Sequence, residues 1–272
     1  MKWLHFILSH SFFIALCAAA LNFQTYQLLH MPVNGLIILF VAAATLCGYN
    51  GYWLLSKITG KQNTPFGEIL KNNAEYVIII IAAALIMFYC MLNLHLVYYN
   101  IIVTFLLLVA YSIPLWPLKK FAFVKTLGFV KTILLAFAWA HVTVLIPLQK
   151  PMYMMTQNEW LFFISRFLFL LMLCIIFDSR DIVIDKIRGL HSLATDLSPL
   201  VLKIFISAVF ILLVVVNYML PVTLLQRTAL LLAATTALIA WFFAAKKRGY
   251  FFYYFFVDGL MFLSALMTLI VS

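Results

Sequence analysis

The sequence predicts an all-α membrane protein: nine transmembrane helices with the N-terminus in the cytoplasm. Three observations carry this. Of 272 residues, 67% are apolar and only 10% charged, whereas an ordinary soluble domain carries roughly 25% charged residues. So few polar groups cannot cover a soluble surface of this size. The apolar residues also fall into long runs, and Lys and Arg gather in alternate connections between those runs. A disordered chain, a disulfide-rich secreted domain and a cytosolic enzyme are all excluded.

The runs cover Leu4–Leu29, Val33–Leu55, Val77–Leu92, Val97–Leu115, Thr126–Leu148, Trp160–Phe177, Val201–Leu220, Val222–Ala245 and Phe251–Val271. Each is near the ~20 residues a helix needs to cross the hydrocarbon core; the third and fourth are the shortest. Backbone in lipid must satisfy its own hydrogen bonds, so such runs are helices. The first run has a basic start and a small-residue tail at Ala18–Ala20, as a cleavable leader has. It continues apolar through Leu21, Phe23 and Tyr26, which makes it a first span. No Gly/Ser linker, charge block or low-complexity tract divides residues 1–272, so the expectation is one membrane domain.

Charge fixes the expected orientation. Fourteen of the 18 Lys and Arg residues lie before the first span or in and around the connections after the second, fourth, sixth and eighth. The positive-inside rule places those segments in the cytoplasm and the C-terminus outside. The net charge of +10 is therefore topology, and no nucleic-acid partner is expected. Cys17, Cys47, Cys90 and Cys174 all fall within spans and form no CxxC pair. They read as small buried hydrophobes.

The two long cytoplasmic connections, Ser56–Tyr76 and Asp178–Leu200, are where function is expected. The chain has only eight acidic residues, and three of them are Asp178, Asp181 and Asp185. Spacings of three and four put all three on one face of a helix continuing the sixth span, and Arg188 shares that face. Aligned like charges need a cation or basic partners among them. Hard carboxylate oxygens at the mouth of a membrane cavity suit Mg²⁺, which keeps waters and is completed by substrate phosphates. A solvated helix with its acids paired to Arg180, Lys186 and Arg188 fits the spacing equally well.

Asp178-x-x-Asp181-x-x-x-Asp185-x-x-x-Gly189 resembles the second aspartate motif of the UbiA superfamily of intramembrane prenyltransferases. Tyr111-Ser112-Ile113-Pro114, running on to Lys119 and Lys120, is similar to that family's Tyr-Ser-x-Pro…Lys segment. The stretch Tyr250–Leu260 resembles its C-terminal region. The resemblance implies a UbiA-like bundle in the inner (plasma) membrane with a cytoplasmic active face. It also implies Mg²⁺-dependent transfer of a prenyl group from an isoprenoid diphosphate to a hydrophobic acceptor, among membrane lipid. On these positions Asp181, Asp185 and Lys119 would be catalytic, and Asp178, Asp181 and Asp185 would hold the metal. Asn50, Lys57, Tyr111, Arg180 and Arg188 would bind substrate. The family's first motif, Asn-x-x-x-Asp-x-x-x-Asp, is matched here only at Asn50; Leu54 and Ile58 stand where the aspartates would be. A noncatalytic isoprenoid- or lipid-binding protein of the same fold is thus the alternative. A secondary transporter fits less well, because the acids cluster at one face and no matched pair of broken spans is visible.

Among the other polar residues, Lys131 and Arg166 lie one to two turns into their spans and are expected to snorkel to the interface. Asp258 enters the last span from the basic side, with Lys246, Lys247 and Arg248 as expected partners. Asn22, Gln24, Asn93 and Asn217 are expected to cap or bridge helices. Of the six histidines only His191, after the aspartate helix, is placed to reach an acceptor.

Overall fold

A computed structural model describes residues 2–60, 66–94, 97–112, 128–188, 191–244 and 248–272. Lys119 lies outside the described residues, as do the side chains of Asp185 and Arg188. The described residues form helices and connecting turns. Seven helices are long and apolar enough to cross a bilayer, or eight if one bent pair counts as a single span. The protein is an integral membrane protein.

The bent pair is α1 (Lys2–Ser9) and α2 (Phe12–Leu28), which meet at 65°. Ser11 adopts the left-handed region at φ 63, so the first apolar run is broken where the sequence offered only a Ser-His-Ser step. The break leaves the His10 carbonyl outside a helix, and the buried amide of Asn50 donates to it at 3.0 Å. Beyond the break, α2 is buried along much of its length, its polar Asn22, Gln24 and Thr25 included.

Asn34 begins α3 (Gly35–Gly60) by accepting from the Leu36 and Ile37 amides at 3.1 and 3.3 Å, a side-chain cap for orphan donors. The short α4 (Phe66–Asn72) leads into α5 (Ala74–Asn93). α5 packs on α3 but buries little of itself, leaving Ile78, Leu85 and Phe88 exposed on what is the lipid-facing side. α6 (Tyr98–Ser112) is shorter, at 15 residues.

The next span changes pitch midway. α7 (Gly128–Ala140) passes through a π-turn at His141–Leu145 into α8 (Ile146–Leu148). Pro147 has no N–H to return to the Thr143 carbonyl one turn back. The Thr25 hydroxyl of α2 supplies that bond at 2.7 Å. Asn100 of α6 donates to Leu145 and Lys150 carbonyls, each at 3.0 Å, closing the same irregular end.

At the centre stands α9 (Gln157–Arg188), 32 residues long and largely buried. It packs against α7, the short α10 (Leu193–Asp196), α11 (Pro199–Met219) and α12 (Leu224–Ala244). Ser198 caps α11 ahead of Pro199. Ala229, Ala233, Ala237, Ala240 and Ala244 are buried along α12, a stripe of small residues that lets helices approach closely in lipid. A second π-turn, Phe252–Val257, opens the last span and continues as α13 (Asp258–Val271).

Arg166 does not snorkel. It is 4% exposed and turned into the bundle, where its Nη1 donates to the Leu21 carbonyl at 3.0 Å and its Nη2 to Gln24 Oε1 at 2.8 Å. Acceptors inside the bundle made the inward rotamer available, and hydropathy along α9 carries no sign of them. Gln24 and Asn217 do bridge helices, to Ser264 and Ser165 respectively.

Candidate functional site

The C-terminal third of α9 carries the aspartates, and each described one has a defined partner. Asp178 accepts from the Thr132 hydroxyl of α7 at 2.5 Å. Asp181 takes both Nε and Nη2 of the adjacent Arg180 at 2.7 Å each. Paired N–H donors on one carboxylate make the stronger class of charge-assisted bond. The guanidinium is also walled by rings, 5.1 Å from Phe177, 5.3 Å from Tyr253 and 4.9 Å from Tyr254. Successive tyrosines both reach α9 because they sit in the π-turn, the kind of local irregularity that recurs at functional positions.

Asp258 follows that turn and is buried. Among the described residues Arg180 is the cation whose charge acts on it, and no ion pair to it is formed there. Arg248 instead donates Nε to the Phe243 carbonyl at 3.1 Å, and the two lysines lie outside the described residues. Asp258 in turn bears electrostatically on Tyr49 of α3 and Cys174 of α9. Arg180 is paired with the acid beside it in sequence, and its charge also reaches the buried acid at the start of the last span.

Of the residues expected to bind substrate, Tyr111 is brought toward this centre. Its ring lies 5.4 Å from Tyr52, and Asp178 is among the groups whose charge acts on it. Tyr49 accepts a bond from Trp139 Nε1 at 3.1 Å. Lys57 lies on a second arc, with Nζ 2.7 Å from Asn73 Oδ1 and 4.1 Å from the Tyr76 ring. Tyr250 extends the aromatic wall: it stacks on Tyr254 at 4.2 Å and lies 5.5 Å from the His5 ring. Burial, with Tyr254 adding, pushes the Tyr250 phenol up to about 12, so it remains a hydrogen-bond donor at neutral pH.

Asn50 stands deeper. It is fully buried, bonded to the kink carbonyl and to Leu46, and its Oδ1 has no hydrogen-bond partner among the described residues. Leu54 and Ile58 are half-buried farther along α3 and bring no carboxylate. Glu75 is placed 3.0 Å from His10 Nε2, and His191 holds Asp196 at 2.6 Å. Among the described residues no three His, Cys, Asp or Glu side chains are grouped as a metal set. Asp258 is the participant whose place here sequence reasoning missed. Its burial just past an aromatic run was the available signal.

No protein-family model matches the chain, and no curated protein matches it in sequence. Among solved structures, the apo structure of a UbiA homologue from Aeropyrum pernix K1 superposes with a TM-score of 0.64. The match covers 95% of this chain and 98% of that one, at 14% identity. The chain has a UbiA-like fold.

Proposed function

We propose that this protein is a UbiA-type prenyltransferase with nine spans, its N-terminus and active face cytoplasmic. The bent α1–α2 pair would count as the first span and the short α6 as the fourth. The observation that best supports the activity is Arg180, paired to Asp181 and ringed by Phe177, Tyr253 and Tyr254 at the end of α9. It is a positioned guanidinium within a UbiA-like fold, two residues from Asp178.

In this reading Arg180, Lys57 and Lys119 hold the isoprenoid diphosphate, and Tyr111 and Asn50 border it. The prenyl tail lies among apolar helix faces. The C–O bond to the diphosphate breaks with its electron pair leaving on oxygen. The resulting allylic cation is captured by an acceptor, which loses a proton if an aromatic carbon attacks. Donors fixed in place before the reaction stabilise the departing charge without reorganising. Aromatic faces beside the same site suit a cation on the prenyl carbon.

Asp178 and Asp181 offer hard oxygens within one helical turn, and Arg180 now provides the positive charge that a metal would bring to Asp181. Two carboxylates plus substrate oxygens are an ordinary Mg²⁺ set, so the donor chemistry fits, with Asp185 as a third ligand on the resemblance. Bound there, Mg²⁺ would supply charge neutralisation on the leaving diphosphate.

The test is thermal stability of the full chain in detergent with Mg²⁺ and farnesyl or geranylgeranyl diphosphate, beside an Asp181→Asn/Asp185→Asn variant. At a hundred times Kd a ligand specific to the folded state adds about 2.7 kcal/mol. Stabilisation that needs Mg²⁺ and vanishes in the variant supports the site; none in either protein overturns it. The second reading is a noncatalytic isoprenoid or lipid binder, favoured by Leu54 and Ile58 in place of the first-motif aspartates. It would show diphosphate or lipid binding with no labelled prenyl group passed to any acceptor.

A further inference from the structure

Far from the aspartates, α9 carries a second arginine whose surroundings the proposed reaction does not use. Arg166 lies twelve residues before Asp178, roughly 18 Å along the helix axis. It is enclosed by α2, α9 and the last three helices. A guanidinium does not give up its proton in a protein, so this is a permanent cation within the membrane-spanning bundle. Its bonds go to neutral acceptors only, the Leu21 carbonyl and Gln24 Oε1, with the Phe162 ring 5.2 Å away. Among the described residues no carboxylate is within ion-pairing distance of it. An intramembrane charge without a counter-ion is costly, and such charges normally face a partner.

The side chains around Arg166 are biased toward donors. Gln24 spends its amide N–H groups on the Ser264 carbonyl and hydroxyl oxygen, at 3.0 and 3.1 Å. Ser264 Oγ, having accepted that bond, keeps its own hydrogen to give. Ser165 donates to Asn217 Oδ1 at 2.5 Å, which fixes the Asn217 amide with its nitrogen turned away from Ser165. The amide nitrogen of Asn217, a residue 1% exposed, donates to no acceptor among the described residues. Gln24, Ser165, Arg166, Asn217 and Ser264 together line a cavity of about 20 Å³. That is room for one water-sized particle.

We propose that this cavity is a binding site for a single halide ion, chloride under physiological conditions. Arg166 supplies the charge, and the Asn217 amide and Ser264 hydroxyl supply the remaining donors. A monatomic anion satisfies what a water cannot: it neutralises the guanidinium and accepts from every donor at once. Its bound position joins α2, α9, α11 and α13, so its role is to hold the bundle together.

The test is thermal unfolding of the detergent-purified full chain at constant ionic strength, with chloride or bromide exchanged for gluconate. The wild type should show a melting temperature that rises with chloride and with bromide and then climbs with the logarithm of concentration. Asn217→Asp places a carboxylate beside Arg166 as a built-in counter-ion, and should be as stable in gluconate as in chloride. Arg166→Gln should also lose the halide dependence. If Arg166→Gln does not fold, the wild-type titration and Asn217→Asp still decide. A wild type equally stable in both anions overturns the proposal. In crystals grown in bromide, an anomalous peak between Arg166 and Asn217 supports it, and ordered water there instead overturns it.

Discussion

Arg180 and Arg166 stand fourteen residues apart on α9, and their neighbours give them different work. Arg180 has a carboxylate fork and three rings, and its planar shape matters as much as its charge. Arg180→Lys keeps the charge but cannot grip Asp181 with parallel bonds or stack as well on Tyr254. It should weaken diphosphate binding about tenfold, or about 1.4 kcal/mol, measured as Kd in a ligand titration while the protein stays folded. Unchanged affinity would remove Arg180 from the site. The aspartate spacing was legible in the sequence because three- and four-residue steps fix a helix face. The pairing was not, since neighbours in sequence point to different faces and only the long side chain of Arg180 folds back to Asp181. The rotamer of Arg166 was illegible for a related reason: apolar content gives the length of a span, not the side of it that turns inward.

At the scale of elements, the irregular turns do most to place polar groups, and each leaves a backbone group that another helix satisfies. Thr25 on α2 answers the carbonyl freed by Pro147. Thr25→Val removes that hydroxyl at nearly constant volume and leaves the buried carbonyl short of a partner, a loss of about 1–3 kcal/mol. Thr25→Ser should recover most of it. Melting temperatures of both variants check this, and equal values for Thr25→Val and wild type would show that the carbonyl finds another donor. Small-residue packing predicts a second effect. Ala237 is fully buried on the α12 stripe, so Ala237→Leu should force helices apart and cost about 1–3 kcal/mol, read as a lowered melting temperature. Proline and the alanine stripe were both visible in the sequence. The π-turns were not, and neither was the break at Ser11, which no Gly or Pro announces.

Across the whole molecule, the apolar runs told where helices lie because lipid leaves the backbone few other solutions. Burial separates them by role: α9 is enclosed while α5 presents Ile78, Leu85 and Phe88 outward, a contrast that composition alone conceals. The orientation expected from charge can be tested at two positions on either side of α9. Tyr153, in the short turn before α9, and Lys203, near the start of α11, are both exposed. One crossing of the bilayer by α9 separates them. With the basic connections cytoplasmic, Lys203→Cys should react with a membrane-impermeant maleimide in inside-out vesicles, and Tyr153→Cys in intact cells. Wild-type protein sets the background, since Cys17, Cys90 and Cys174 are buried. The opposite labelling pattern would invert the molecule and carry Asp178, Arg180 and Asp181 to the far side. A diphosphate substrate made in the cytoplasm would then have no direct route to them, so the same labelling experiment bears on the proposed reaction as well as on the topology.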